Sequence, residues 1–178
     1  NGDIETVRTI FSKNPNGRFE SFPQTLDWRL PAPWEGKVRL LRFNIKTGEK
    51  YSCEPFSQQK GGIIAPPLNI SKHKLCIVWD SINGGIAGIS YNDNKFEKNW
   101  EINIRPTMQP IYFEQSNELV INHFDDKSDY LIVIDVLRGK ILSKVNLRTP
   151  MANGMFLTPG FNNDVLYCST LAISKVSW

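Results

Sequence analysis

Val38-Arg-Leu-Leu-Arg-Phe-Asn-Ile-Lys-Thr-Gly48-Glu-Lys-Tyr-Ser52, Ile86-Ala-Gly-Ile-Ser-Tyr-Asn-Asp-Asn94-Lys-Phe-Glu-Lys-Asn-Trp100 and Leu131-Ile-Val-Ile-Asp-Val-Leu-Arg-Gly139-Lys-Ile-Leu-Ser-Lys144 share one pattern: an apolar strand, a polar turn and a second strand. The turn residues Gly48, Asn94 and Gly139 are 46 and 45 positions apart. Glycine and asparagine tolerate the left-handed backbone of a tight hairpin, so a shared turn accounts for the exchange between them. Phe43, Ile89 and Ile134 each precede the turn residue by five and are expected in equivalent buried positions.

Further strand signals lie upstream of the hairpins, at 62–69 and 74–79 and at 107–114 and 118–123. Each unit therefore reads as four short strands, and no helix signal occurs anywhere. Units of this kind repeating at about 40 to 50 residues are the signature of a β-propeller. The expected fold is all-β, a propeller of four-stranded antiparallel blades with about four blades, since 178 residues divided by four is 44.5. Residues 11–57, 58–104 and 105–147 are assigned to blades and 148–178 to an incomplete one. Residues 1–10 are assigned to the outer strand of one blade, complementing 172–178. The stretch 14–36, with Pro15, Pro23, Pro31 and Pro33, is the irregular part of the first blade. A four-bladed ring has a narrow core and strongly wedged blades, so an arc of a seven- or eight-bladed ring is the favoured expectation. The start at Asn1, with neither Met nor a signal-like segment, favours a processed or incomplete chain and further blades elsewhere in a longer one.

The hairpins around Ile132-Val-Ile-Asp-Val-Leu-Arg-Gly-Lys-Ile141 and Leu41-Arg-Phe-Asn-Ile-Lys-Thr-Gly-Glu49 resemble the quinoprotein-like propeller repeat: a hydrophobic strand, Asp, a few residues, Gly and then Trp. Trp100 falls near where that family places its blade-docking tryptophan, whereas Pro55 and Val145 lie in the corresponding neighbourhoods of the other hairpins. The resemblance implies architecture and a periplasmic or extracellular setting. Members that hold pyrroloquinoline quinone carry a vicinal disulfide and calcium-binding acids; no adjacent Cys pair exists here, so no cofactor is expected. Trp79-Asp80 invites comparison with WD repeats, but it ends a second rather than a third strand, and neither His73 nor His123 follows Gly.

Composition narrows the partners. Lys and Arg total 21 against 18 acids, a net +3, too little for the basic stripe that a phosphate backbone demands, so nucleic acid is not an expected partner. No apolar run approaches the ~20 residues of a membrane span. Cys53, Cys76 and Cys168 lack the close pairing of a zinc or redox motif and read as small buried hydrophobes, so no metal site is assigned.

Nucleophile-elbow and phosphate-loop motifs are absent. His73 lies in a polar turn and is expected to be solvated. His123 precedes Phe-Asp125-Asp126-Lys-Ser-Asp129, so His123, Asp125 and Asp126 are the catalytic candidates, against the alternative of a solvated acidic loop. In a propeller, loops joining fourth to first strands and second to third strands share one face. That face collects Lys60, Arg105 and Arg148 from the first class and Trp34, Trp79, Asn83, His123 and Asp125 from the second. Arg105-Pro106 and Arg148-Thr-Pro150 occupy equivalent places, so two guanidinium groups recur around the axis and suit a carboxylate, sulfate or phosphate; the alternative is ordinary surface charge. The expected function is a non-catalytic binding or scaffolding module for a small anionic ligand or partner protein. The rival is a hydrolase or transferase built on His123.

Overall fold

Residues that accept a left-handed backbone stand at fixed places in the chain, and the strands follow from them. In a computed structural model that describes residues 5–11, 38–57, 66–92, 95–125, 127–147, 156–168 and 173–178, Lys74, Asn117 and Asn163 all have positive φ (48°, 55° and 34°). Each immediately precedes a strand: β5 (Leu75–Trp79), β9 (Glu118–Phe124) and β13 (Asp164–Cys168). Before them come β4 (Leu68–Ile70), β8 (Ile111–Phe113) and β12 (Phe156–Pro159). A short 3-10 turn, Ser71–His73, follows β4, and no α-helix occurs among the described residues.

The third strands are β2 (Val38–Asn44), β6 (Ile86–Asn92), β10 (Asp129–Asp135) and β14 (Ile173–Ser177). Fourth strands are β3 (Lys50–Cys53), β7 (Lys95–Ile102) and β11 (Lys140–Asn146). The protein is all-β, with four antiparallel sheets in the orders β1-β2-β3, β4-β5-β6-β7, β8-β9-β10-β11 and β12-β13-β14, none closed on itself. The two four-stranded sheets fall inside 58–104 and 105–147.

The amino-terminal expectation is corrected. Strand β1 (Glu5–Phe11) pairs antiparallel with β2 through Glu5↔Asn44 to Phe11↔Val38, so it belongs to the first sheet rather than beside 172–178. The irregular stretch 14–36 and the turn residue Asn94 lie outside the described residues. The hairpin turns are also not all alike. Asn44 and Asp135 each open a four-residue loop: Asn44 Oδ1 accepts from the Lys46 and Thr47 N–H groups, and Asp135 Oδ1 from those of Leu137 and Arg138. Gly48 (φ 76°) and Gly139 (φ 65°) close these loops by donating to the Asn44 and Asp135 carbonyls, both at 2.8 Å. The middle hairpin pairs Asn92 with Lys95 and so has only a two-residue loop.

The sheets stack in chain order, because strand alternation gives each central sheet two apolar faces. From β5, Leu75, Ile77 and Trp79 meet Leu119, Ile121, Ile132 and Ile134 of the third sheet. Cys76 and Val78, with Ala87, Ile89 and Tyr91, face Leu40 of the first sheet. Val120, Leu131 and Val133 face Val165 of the fourth. Ile89 and Ile134 are buried, both toward the preceding sheet. Phe43 is half-buried, since its sheet is first in the stack, and Lys50 lies over its ring. Trp100 of β7 is buried between the second and third sheets, where its Nε1–H donates to the Val136 carbonyl at 2.8 Å.

Two thiols lie at the first interface. Burial pushes Cys53 up to about 11 despite the nearby Lys98 ammonium, and pushes Cys76 up to about 12. A raised thiol pKa means the fold holds the neutral form, so the stabilisation is complete below the ordinary thiol pKa of 9.0 and is lost as pH rises toward about 12. Urea midpoints should fall through that window, and Cys76→Ala should flatten the fall; an unchanged pH profile in the variant refutes the assignment.

Candidate functional site

Asp80 and Asp125, 45 residues apart, cap the loops that join second to third strands in the two central sheets. Asp80 Oδ1 accepts from the Ile82 and Asn83 N–H groups, and Asp125 Oδ1 from those of Lys127 and Ser128. Aspartate is favoured here because its short carboxylate satisfies backbone donors two and three residues ahead. Between these loops runs the segment leaving β7. Gly85 N–H donates to the Ile104 carbonyl at 2.6 Å, and Phe124 N–H to the Arg105 carbonyl at 3.0 Å. Fourth-to-first and second-to-third connections are thus bonded together at one end of the stack.

Arg105 and His123 meet there. The Arg105 backbone N–H donates to His123 Nδ1 at 2.9 Å, and the Arg105 guanidinium lies 5.0 Å from the centre of the Phe124 ring. His123 stacks on Tyr130, its register partner on β10, with centroids 5.9 Å apart and planes at 28°. Lys144 Nζ sits 4.2 Å from the Tyr130 ring centre, and Asn146 is the register partner of Tyr130 on β11.

Burial lowers the pKa of His123, the Lys144 and Arg105 cations push the same way, and Asp125 opposes them. The neutral ring is also what the geometry requires, since Nδ1 accepts a hydrogen bond. Its proton then resides on Nε2, which makes that nitrogen a donor rather than a base. The Asp125 carboxyl is held below its ordinary value by the N–H groups of Ser128 and Lys127, with further help from the Tyr130 hydroxyl. Tyr130 is correspondingly raised, chiefly by donating to Asp125.

The structure brings together Arg105, His123 and Asp125 from the expected set. Asn83 stands in the neighbouring loop, where its Nδ2 donates to Asp80 Oδ2 at 3.0 Å. Trp79 is a correction. It is buried in the core in the row of Leu75 and Ile77 and presents nothing to a ligand. His73 is corrected too: rather than standing in solvent, its Nε2 bonds Asn117 Oδ1 of the third sheet at 2.7 Å. Lys60, Arg148, Trp34 and Asp126 lie outside the described residues. Tyr130, Lys144 and Phe124 were not expected; only the pairing register of β9, β10 and β11 places them beside His123. Among the described residues no group of three or more His, Cys, Asp or Glu is placed to hold a metal ion.

No protein-family model and no curated protein matches the chain.

Proposed function

We propose that the four-sheet stack is a β-propeller module, an arc of a seven- or eight-bladed ring, that binds a small anionic ligand or a partner protein without catalysis. Three features support the propeller: the repeat of about 45 residues, the face-to-face stacking of sheets in chain order, and Trp100, which lies buried between two sheets and falls in sequence near where the quinoprotein-like repeat carries its docking tryptophan. The observation that carries the binding role is the pairing of Arg105 with His123. A guanidinium and an Nε2–H donor stand at one end of the stack, flanked by Lys144, and both suit oxyanion oxygens. Asp125 turns its carboxylate toward its own loop and Tyr130, which reduces its opposition to an anion. The rival hydrolase or transferase reading needs His123 as a base, and the tautomer fixed by Arg105 speaks against it.

Calorimetric titration with sulfate, phosphate and a dicarboxylate tests this. Arg105→Ala keeps the backbone N–H that holds His123, so the paired change Arg105→Ala with Arg148→Ala should abolish binding. Stability should move by no more than about 1 kcal/mol, the scale of a partly exposed cation–π contact. Binding by the unaltered chain should weaken as salt is added. Anion affinity that survives the double change removes the site from consideration. Turnover of an ester or phosphate that disappears in His123→Ala would favour the rival.

A further inference from the structure

The outer faces of the first and fourth sheets are the two halves of an interface that the chain makes internally three times. On the face toward the preceding sheet, Phe43, Ile89 and Ile134 occupy one position and Leu41, Ala87 and Ile132 another. On the face toward the following sheet, Ile77, Val120 and Leu166 are equivalent, each the third residue of its strand. Ile77 and Val120 are buried by the next sheet, whereas Leu166 is 37% exposed. Across the fourth sheet, Phe156, Cys168 and Ile173 form one pairing row; Phe156 is 62% and Ile173 73% exposed. Rows of this kind are covered in the two central sheets, whereas among the described residues no sheet covers this one. Exposed apolar patches rimmed by polar groups mark association surfaces, and here the Lys175–Asp164 ion pair at 2.8 Å stands on the rim.

We propose that a second copy of the chain docks the outer face of its first sheet, through Leu41 and Phe43, on the open face of the fourth sheet at Phe156, Leu166 and Ile173. The first sheet fits this position because Leu41 and Phe43 are the equivalents of the residues that fill it at the internal interfaces, Ala87 and Ile89 and then Ile132 and Ile134. The contact is head-to-tail, so it closes only if the geometry curves. The closed form rests on the propeller reading. Two copies present eight sheets, within the range of about four to eight blades that propellers use.

Sedimentation velocity of the chain over a concentration series reads the mass directly. A doubled mass that stops at two copies is expected. Ile173→Glu and Phe43→Glu, both at positions outside the buried core, should each leave monomer. Ile173→Glu combined with Phe43→Lys places opposite charges across every contact and should restore the dimer. A wild-type chain that stays monomeric, or a dimer that persists in both single variants, overturns the docking. A series that grows past two copies and is abolished by Ile173→Glu supports the docking but refutes the curved propeller, so the two ideas fail separately.

Discussion

Replacing Trp100 with alanine should lower the stability of the fold by about 3–5 kcal/mol, the range for truncating a buried aromatic residue. The indole fills the seam between the second and third sheets. A Cβ added at Gly88 would lie 2.3 Å from the Trp100 ring, and one added at Gly139 2.4 Å from it. The ring therefore rests directly on the backbone of its own sheet and on the turn of the next, and neither surface can close over the space its removal leaves. Its N–H also holds the Val136 carbonyl. Trp100→Phe should keep part of the packing and lose that bond, worth about 1 kcal/mol on its own. Gly139→Ala should fall near Trp100→Ala, since it clashes with the ring and also forces a side chain onto a backbone at φ 65°. Urea unfolding at constant slope checks the series. A loss below about 1 kcal/mol for Trp100→Ala would mean that the two sheets are held together by other contacts.

The repeat was legible because its marks are local. Gly48 and Gly139 announce their turns through a backbone geometry few residues accept, and the unbroken apolar runs Leu75 to Trp79 and Leu131 to Ile134 announce strands buried on both faces. Pairing partners far apart in sequence were not legible in the same way. The strand signal near the amino terminus is real, but nothing in it says that Val38–Asn44, rather than the carboxyl-terminal strand, lies beside it. Trp79 was assigned to the ligand face because it closes its strand, although its parity with Leu75 and Ile77 already points it into the core. His73 was read as solvated because its partner, Asn117, belongs to the next repeat. At the candidate site, Arg105 and His123 were found from loop class alone. Tyr130 and Lys144 were missed because only cross-strand register brings them to His123.

The other large effect should come from polar atoms, at the contact between the third and fourth sheets. Asn122 of β9 is fully buried. Its Oδ1 accepts from the Thr107 and Met108 N–H groups, both at 3.0 Å, while its Nδ2 donates to Thr107 Oγ1 at 2.7 Å and Asp129 Oδ1 at 3.1 Å. The Tyr167 hydroxyl, from the fourth sheet, donates to Asp129 Oδ2 at 2.5 Å. One amide thus fastens the segment leading into β8, the start of β10 and, through Asp129, the neighbouring sheet. Asn122→Ala strips two backbone donors and one carboxylate oxygen of this partner at once. Each buried group left so costs about 1–3 kcal/mol, and a total near 4 kcal/mol is expected. Tyr167→Phe removes a single bond to a charged acceptor and should cost about 1.5–3 kcal/mol. Because both act on Asp129, the double variant should lose less than the sum of the two, by at least about 0.5 kcal/mol. Strict additivity in that cycle would show that Asn122 and Tyr167 hold Asp129 independently, and the network would reduce to separate bonds that do not couple the two sheets.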